Sequence, residues 1–195
     1  MAVVLDVDDV LLDWFGGFRA WLWMEHGISP VGISHPAAWD MSDVYPGLGR
    51  AKIVGLIRDF NRSDAFGELT PKPYAEDAIA GLRSFYPGER IVALTSSGLH
   101  PKTVKLRAHS LERFDLDELH IVPIGDSKAD HLERLFEPGS LYVEDNHMHA
   151  ADGLHIGYDT LIFDYPHNRN FKDERLMRAR CWQGAMQHVR HLKRA

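Results

Sequence analysis

The feature that most constrains this chain is a recurring unit: a short apolar run that ends abruptly in polar residues, followed by a stretch with helical spacing. Ala2-Val3-Val4-Leu5 runs into Asp6, Ile91-Val92-Ala93-Leu94 into Thr95-Ser96-Ser97-Gly98, and Leu119-His120-Ile121-Val122 leads to Gly125-Asp126-Ser127-Lys128. Leu141-Tyr142-Val143 runs into Glu144-Asp145-Asn146, and Thr160-Leu161-Ile162-Phe163 into Asp164. Near-continuous apolar runs of this length suit parallel strands buried on both faces. Between them, positions 75, 78, 79, 82 and 85 give the stretch from Tyr74 to Phe85 an apolar helical face. Pro101 fits the first position of another helix, and a third is expected from near Ser127 to just before Pro138-Gly139. Trp182, Ala185, Met186, Val189 and Leu192 form the stripe of a last one. Alternation of this kind predicts an α/β fold with a doubly wound, Rossmann-like, mostly parallel sheet.

One region breaks the rhythm. From Trp14 to Leu69 there is no strong strand, only helix-like pieces (Phe15 to His26, Ala51 to Asn61) and turn-rich joints. Four of the five tryptophans (Trp14, Trp21, Trp23 and Trp39) fall there. The expectation is a small helical cap, residues 14–69, inserted into a core made of residues 1–13 and 70–195, with Pro71-Lys72-Pro73 as the re-entry.

With 45% hydrophobic and 26% charged residues, the chain can build a sizeable core without staples. The single cysteine, Cys181, excludes an internal disulfide framework and a cysteine-based zinc site, fits a reducing cytoplasm, and is expected to be a small packing residue. No apolar stretch approaches the roughly 20 residues of a membrane helix, and MAVVLDVDDV lacks the basic start of a secretory signal. A formal net charge of -6 argues against binding a nucleic-acid polymer. The basic tail (Arg175, Arg178, Arg180, Arg190, Lys193, Arg194) reads as a solvated helix face.

In a parallel sheet, reactive groups gather at the carboxyl ends of the strands. Here those ends carry an aspartate pair, a Thr-Ser turn, a lysine and a second acidic pair. Asp6 and Asp8, two apart around a turn, can face one cleft: a carboxylate can attack phosphorus, and a second one can protonate the leaving alcohol. Such a cluster of acids would repel a phosphate dianion without a cation. Magnesium suits that role, with Asp6 and Asp145 as side-chain ligands and Asp8 contributing its backbone carbonyl. Glu144 is expected to orient metal-bound water or a neighbouring group. Thr95 and Ser96 can cradle phosphate oxygens, and Lys128, expected in the first turn of a helix, can balance phosphoryl charge. Taken singly, each element has a plainer reading: a turn or N-cap cluster, a loop, a surface lysine, a capping turn. The histidines His147, His149 and His155 invite a metal reading but lack a cysteine partner.

Together and in this order, the residues resemble the haloacid dehalogenase-like superfamily, with Asp6-Val7-Asp8-Asp9-Val10 as motif I, Thr95 as motif II, Lys128 as motif III and Glu144-Asp145 as motif IV. The resemblance implies an aspartyl-phosphate mechanism, with Asp6 as nucleophile and Asp8 as acid/base, and the second aspartate points to its phosphatase branch. A closer similarity is to the 5'(3')-deoxyribonucleotidase group. It rests on the helical cap after motif I, Trp14, the Phe66-Gly67-Glu68-Leu69-Thr70-Pro71-Lys72-Pro73 segment, Pro166-His167-Asn168-Arg169 and Trp182. Asp9 stands where that group usually has glycine, and Asn146 where a basic residue often follows. The implied substrate is a nucleoside monophosphate, with Trp14 and Trp39 as candidates to stack on the base. Another small phosphate ester, such as a sugar phosphate, and a non-catalytic phosphate-ligand module are the alternatives. A homodimer is compatible with these expectations.

Overall fold

A computed structural model describes residues 1–32, 35–38 and 40–194. Six strands form one sheet: β1 (Ala2–Leu5), β2 (Arg90–Thr95), β3 (Glu118–Ile121), β4 (Leu141–Glu144), β5 (Asp159–Phe163) and β6 (Met177–Ala179). Their order is β3-β2-β1-β4-β5-β6 and every pairing is parallel. Eight α-helices lie among the described residues: α1 (Trp14–His26), α2 (Arg50–Phe60), α3 (Asp64–Gly67), α4 (Ala75–Phe85), α5 (Pro101–Leu111), α6 (Ala129–Leu135), α7 (His147–Ile156) and, after the last strand, α8 (Trp182–Leu192). The predicted doubly wound α/β fold is the one observed. None of the described helices is long and apolar enough to cross a membrane.

The strands read as continuous apolar runs because both sheet faces are covered. Alternation sends Val3, Leu5, Ile91, Ala93, Leu141, Val143, Leu161 and Phe163 into a large cluster with α4 and α8. The intervening Ala2, Val4, Val92, Leu94 and Tyr142 pack on the other face with Leu132 and Leu135 of α6. β6 was not anticipated. Its three residues centre on Arg178, which bonds Asn168 Oδ1 at 2.7 Å and Asp164 at 3.2 Å, so this edge strand shows no apolar run.

Residues 14–69 contribute α1, α2 and α3, and their buried side chains (Phe15, Phe18, Ile53, Phe60, Phe66) join the large cluster beneath the sheet. The outgoing and returning chains run side by side: Asp13 N–H donates to Thr70 O at 2.9 Å and Lys72 N–H to Leu11 O at 2.8 Å. At the far end of the sequence, the Trp182 indole donates to Val10 O at 2.9 Å and fixes the turn after β1. Cys181 lies exposed just ahead of α8, so it is not the packing residue expected.

Candidate active site

The strand order reverses between β1 and β4, and the chemistry-bearing residues stand at the carboxyl ends beside that switch point. Asp6 follows β1, its N–H still in parallel register on Val143 O at 2.9 Å. Lys128 Nζ lies between two acids, donating to Asp6 Oδ1 at 2.5 Å and to Glu144 Oε2 at 2.8 Å. All three side chains are nearly inaccessible. Lys128 occupies the position just before α6 rather than its first turn, a correction of one residue that lets the ammonium reach back to β1.

Glu144 is fully engaged. Besides Lys128, its Oε2 accepts the Tyr142 hydroxyl, and its Oε1 accepts the N–H groups of Asp145 at 3.2 Å and Asn146 at 3.0 Å. It therefore grips the lysine. Asn146 caps α7, its Oδ1 accepting from Met148 N–H at 2.9 Å.

One ammonium does not balance the acids around it. Burial, then the Glu144 charge, pushes the Asp6 carboxyl up to about 8, more than Lys128 can offset. Asp145 is raised well above the usual carboxylate range by burial and by the charges of Asp6 and Glu144. Burial would lower Lys128, but Asp6 and Glu144 outweigh it and hold the ammonium protonated. Asp6, Glu144 and Asp145 each place a carboxylate oxygen within 4.8 Å of the others. An all-oxygen, over-negative, buried donor set of this kind fits a hard divalent cation. A second trio, Asp9, Asp13 and His35, already faces the Lys72 ammonium, which sits 3.1 Å from Asp13 and 3.9 Å from Asp9. His147, His149 and His155 belong to no such group among the described residues.

Asp8 points elsewhere. Its carboxylate, 29% exposed, pairs with Arg107 of α5, whose side chain is fully buried and lies 4.2 Å from the Phe66 ring centroid. Burial around Asp8 raises its carboxyl above the ordinary range, with Arg107 opposing. At the end of β2 the hydroxyls of Thr95, Ser96 and Ser97 are buried and have no hydrogen-bond partner among the described residues, and neither do Arg107 Nε and Nη1. Buried polar atoms are nearly always paired, so this group of orphans beside the Asp6 strand marks a place shaped for oxygen atoms that a ligand brings.

Asp9 explains its own departure from glycine. Its φ of 58° is left-handed, a conformation that aspartate tolerates better than most residues. Its carboxylate accepts Phe15 N–H at 3.3 Å and lies 3.2 Å from His35 Nε2. Trp14 packs in the helical segment: its ring stacks on Phe18 at 5.0 Å, and its indole N–H donates to Asn61 Oδ1 at 3.2 Å. Trp39 lies outside the described residues.

Several contributors escaped the sequence reading. Arg107 looks like any polar helix residue. Asn168 was noticed only as part of a resembling tail, yet its Nδ2 donates to Asp145 O at 2.7 Å and to Phe163 O at 2.6 Å. His167 adds a contact to Asp145 Oδ2 at 3.3 Å. Tyr165 donates to Asp9 O at 2.8 Å. That short segment thus buttresses both acidic turns.

No known family profile matches the chain, and no curated protein does. Solved structures do. The fold is similar to that of a predicted phosphatase from Clostridium acetobutylicum, with a TM-score of 0.64 and 14% identity over 97% of this chain and 98% of that one. It is also similar to a haloacid dehalogenase-like hydrolase from Streptococcus pneumoniae, with a TM-score of 0.59 and 15% identity over 96% and 97%. A third is CbbY from Rhodobacter sphaeroides, solved with xylulose-(1,5)bisphosphate, with a TM-score of 0.58 and 14% identity over 93% and 94%. The chain therefore shares its fold with these three proteins. At these identities the likeness is one of fold, and the chemistry rests on the residues.

Proposed function

We propose that the chain is a magnesium-dependent phosphomonoesterase that works through an aspartyl-phosphate on Asp6. The observation that carries this reading is the buried Lys128 ammonium held against Asp6 by Glu144, next to the unpartnered hydroxyls of Thr95 and Ser96. A carboxylate oxygen of Asp6 attacks phosphorus and the bond from phosphorus to the ester oxygen breaks. Asp8 gives its proton to the departing alkoxide, and its raised carboxyl suits that work. A water then attacks the aspartyl-phosphate, Asp8 takes the water's proton, and the bond to Asp6 breaks, releasing inorganic phosphate. Thr95, Ser96 and Lys128 hold the phosphoryl oxygens throughout. Asp6 and Asp145 would hold the magnesium, with the Asp8 carbonyl as a third ligand. When bound, the cation supplies charge that keeps Asp6 ionised and screens the dianion from the acids.

Residues 14–69 act as the cap over this edge. For the substrate, Trp14 bears on the choice: its engagement with Phe18 and Asn61 suits packing better than stacking on a base. The sugar-phosphate class is accordingly the reading carried forward, with nucleoside monophosphates as the competing class. Release of inorganic phosphate from a panel of nucleoside monophosphates, sugar phosphates and p-nitrophenyl phosphate tests both levels. Turnover is expected with magnesium and is expected to fall at least about a hundredfold on chelation. No release from any ester would overturn the reading, and faster release from nucleotides would reverse the choice of class.

The acids also predict how magnesium acts on stability. A carboxyl near 8 in the folded, metal-free protein is far above its unfolded value, so the native state binds the extra proton and loses stability as pH rises toward 8. Magnesium competes with that proton. Thermal melts should therefore show a larger magnesium-induced rise in Tm at pH 8.5 than at pH 6; a rise that shrinks with pH would contradict the assignment of Asp6 as a ligand.

A further inference from the structure

Between the end of α2 and the loop after β2 lies a pocket of about 160 Å³ lined by Arg58, Asn61, Arg62, Ser97, His100 and Thr103, with Leu99, Pro123 and Ile124 on one wall. That is far more room than the roughly 10–15 Å³ one water requires. No acidic side chain lines it. Arg58 and Arg62 make no ion pair among the described residues, and Asp64 nearby is already paired with Lys102 at 2.9 Å. His100 accepts Lys102 N–H on Nδ1, which leaves the ring's proton on Nε2. The Ser97 hydroxyl is buried here without a partner. Arg58 stands in the last turn of α2 and Arg62 just beyond its C-cap Asn61, so two like charges line one pocket that has no acid in its lining. A cation at the end of α2 complements the helix dipole, which accounts for one of them and not for both.

The pocket also has a definite position relative to the chemistry. Thr103 lines it, and Arg107, four residues on and therefore on the same face of α5, holds Asp8. Asn61 ties the same spot together: its backbone oxygen accepts the Thr103 hydroxyl at 2.9 Å and its side chain accepts the Trp14 indole. Ser97 lies two residues beyond Thr95. The pocket thus continues the site on the side of Asp8, the group that protonates the leaving alcohol.

We infer that this pocket is a second anion subsite, and that the substrate's leaving group carries a further acidic group, a second phosphate or a carboxylate, which Arg58 and Arg62 bind. The inference rests on the phosphomonoesterase reading for its orientation and names the substrate class within it. Both acidic groups share the same chemistry, a multi-oxygen anion matched to paired guanidinium forks.

The test is calorimetric binding with magnesium present, in an Asp6→Asn background so that turnover does not consume the ligand. The matched pairs are fructose 1,6-bisphosphate against fructose 6-phosphate, and 3-phosphoglycerate against glycerol 3-phosphate. At least one doubly anionic ligand is expected to bind about tenfold or more tightly than its partner, and which pair shows the gain tells phosphate from carboxylate. In R58M/R62M that advantage should collapse to within about twofold, and in R58K/R62K part of it should return, which separates lost charge from a damaged fold. Equal affinity within both pairs, or an advantage that survives R58M/R62M, would overturn the inference. Phosphate release from the whole ester panel and from both doubly anionic ligands by the unaltered protein is read in parallel. Its absence alongside an intact binding advantage would remove the phosphatase reading and leave the subsite standing.

Discussion

Asp6→Asn is expected to lower phosphate-ester hydrolysis by at least about four orders of magnitude, because an amide oxygen is a poor nucleophile toward phosphorus and no neighbouring group can take over. The other acids are committed: Asp8 is turned to Arg107, Glu144 is held by Lys128 and Tyr142, and Asp145 is the expected metal ligand. Folding should survive. An amide replaces a carboxyl that already holds its proton below about pH 8, so the metal-free variant at neutral pH should melt no lower than the parent. Steady-state rates on p-nitrophenyl phosphate and a pair of thermal melts check both halves. Near-normal turnover would exclude Asp6 as nucleophile, whatever the stability. Beryllium fluoride gives an independent reading: the parent should form an adduct on Asp6 that the variant cannot.

Lys128→Met should be the most damaging single change to the fold. The ammonium is almost wholly buried between Asp6 and Glu144. Its removal leaves two acids facing each other in a dry interior, and breaking a buried pair from one side destabilises by about 3–5 kcal/mol. Replacing Glu144 by glutamine in the same chain should recover a good part of that loss, since the remaining excess charge is then Asp6 alone, which can protonate. Denaturant unfolding of the single and double variants measures this. A single variant within about 1 kcal/mol of the parent would mean that the ion pair contributes specificity of placement rather than stability.

Much of the site could be read from the sequence because strand ends announce themselves. Asp6, Thr95 and Glu144-Asp145 each stop an apolar run, and a doubly wound order brings such stops to one edge. Lys128 was misplaced by one residue because Ser127 is by type the better helix-start residue, whereas α6 begins at Ala129 with Lys128 at its cap. Arg107 gave no warning. Helical spacing reports apolar faces, and an arginine that turns inward to pair with Asp8 breaks that pattern without leaving a mark. Asp9 stood out only as a departure from glycine, yet its left-handed backbone and its contacts with Phe15 and His35 make it a fastening point. β6 was invisible because a three-residue edge strand centred on an arginine carries no period to detect. Asn168 was seen only as a likeness, since nothing local tells that its amide will hold the carbonyls of residues 145 and 163.

The Trp182 indole reaches Val10 across 172 positions, and the partners Lys128 and Asp6 stand 122 apart. Contacts closed over such spans form late, since the whole intervening chain must be ordered first. The turn that bears Asp6 is made well before Lys128 and α8, and it gains both of these contacts only when they dock. A chain cut before α8 would carry these acids without the Trp182 contact that fixes their turn.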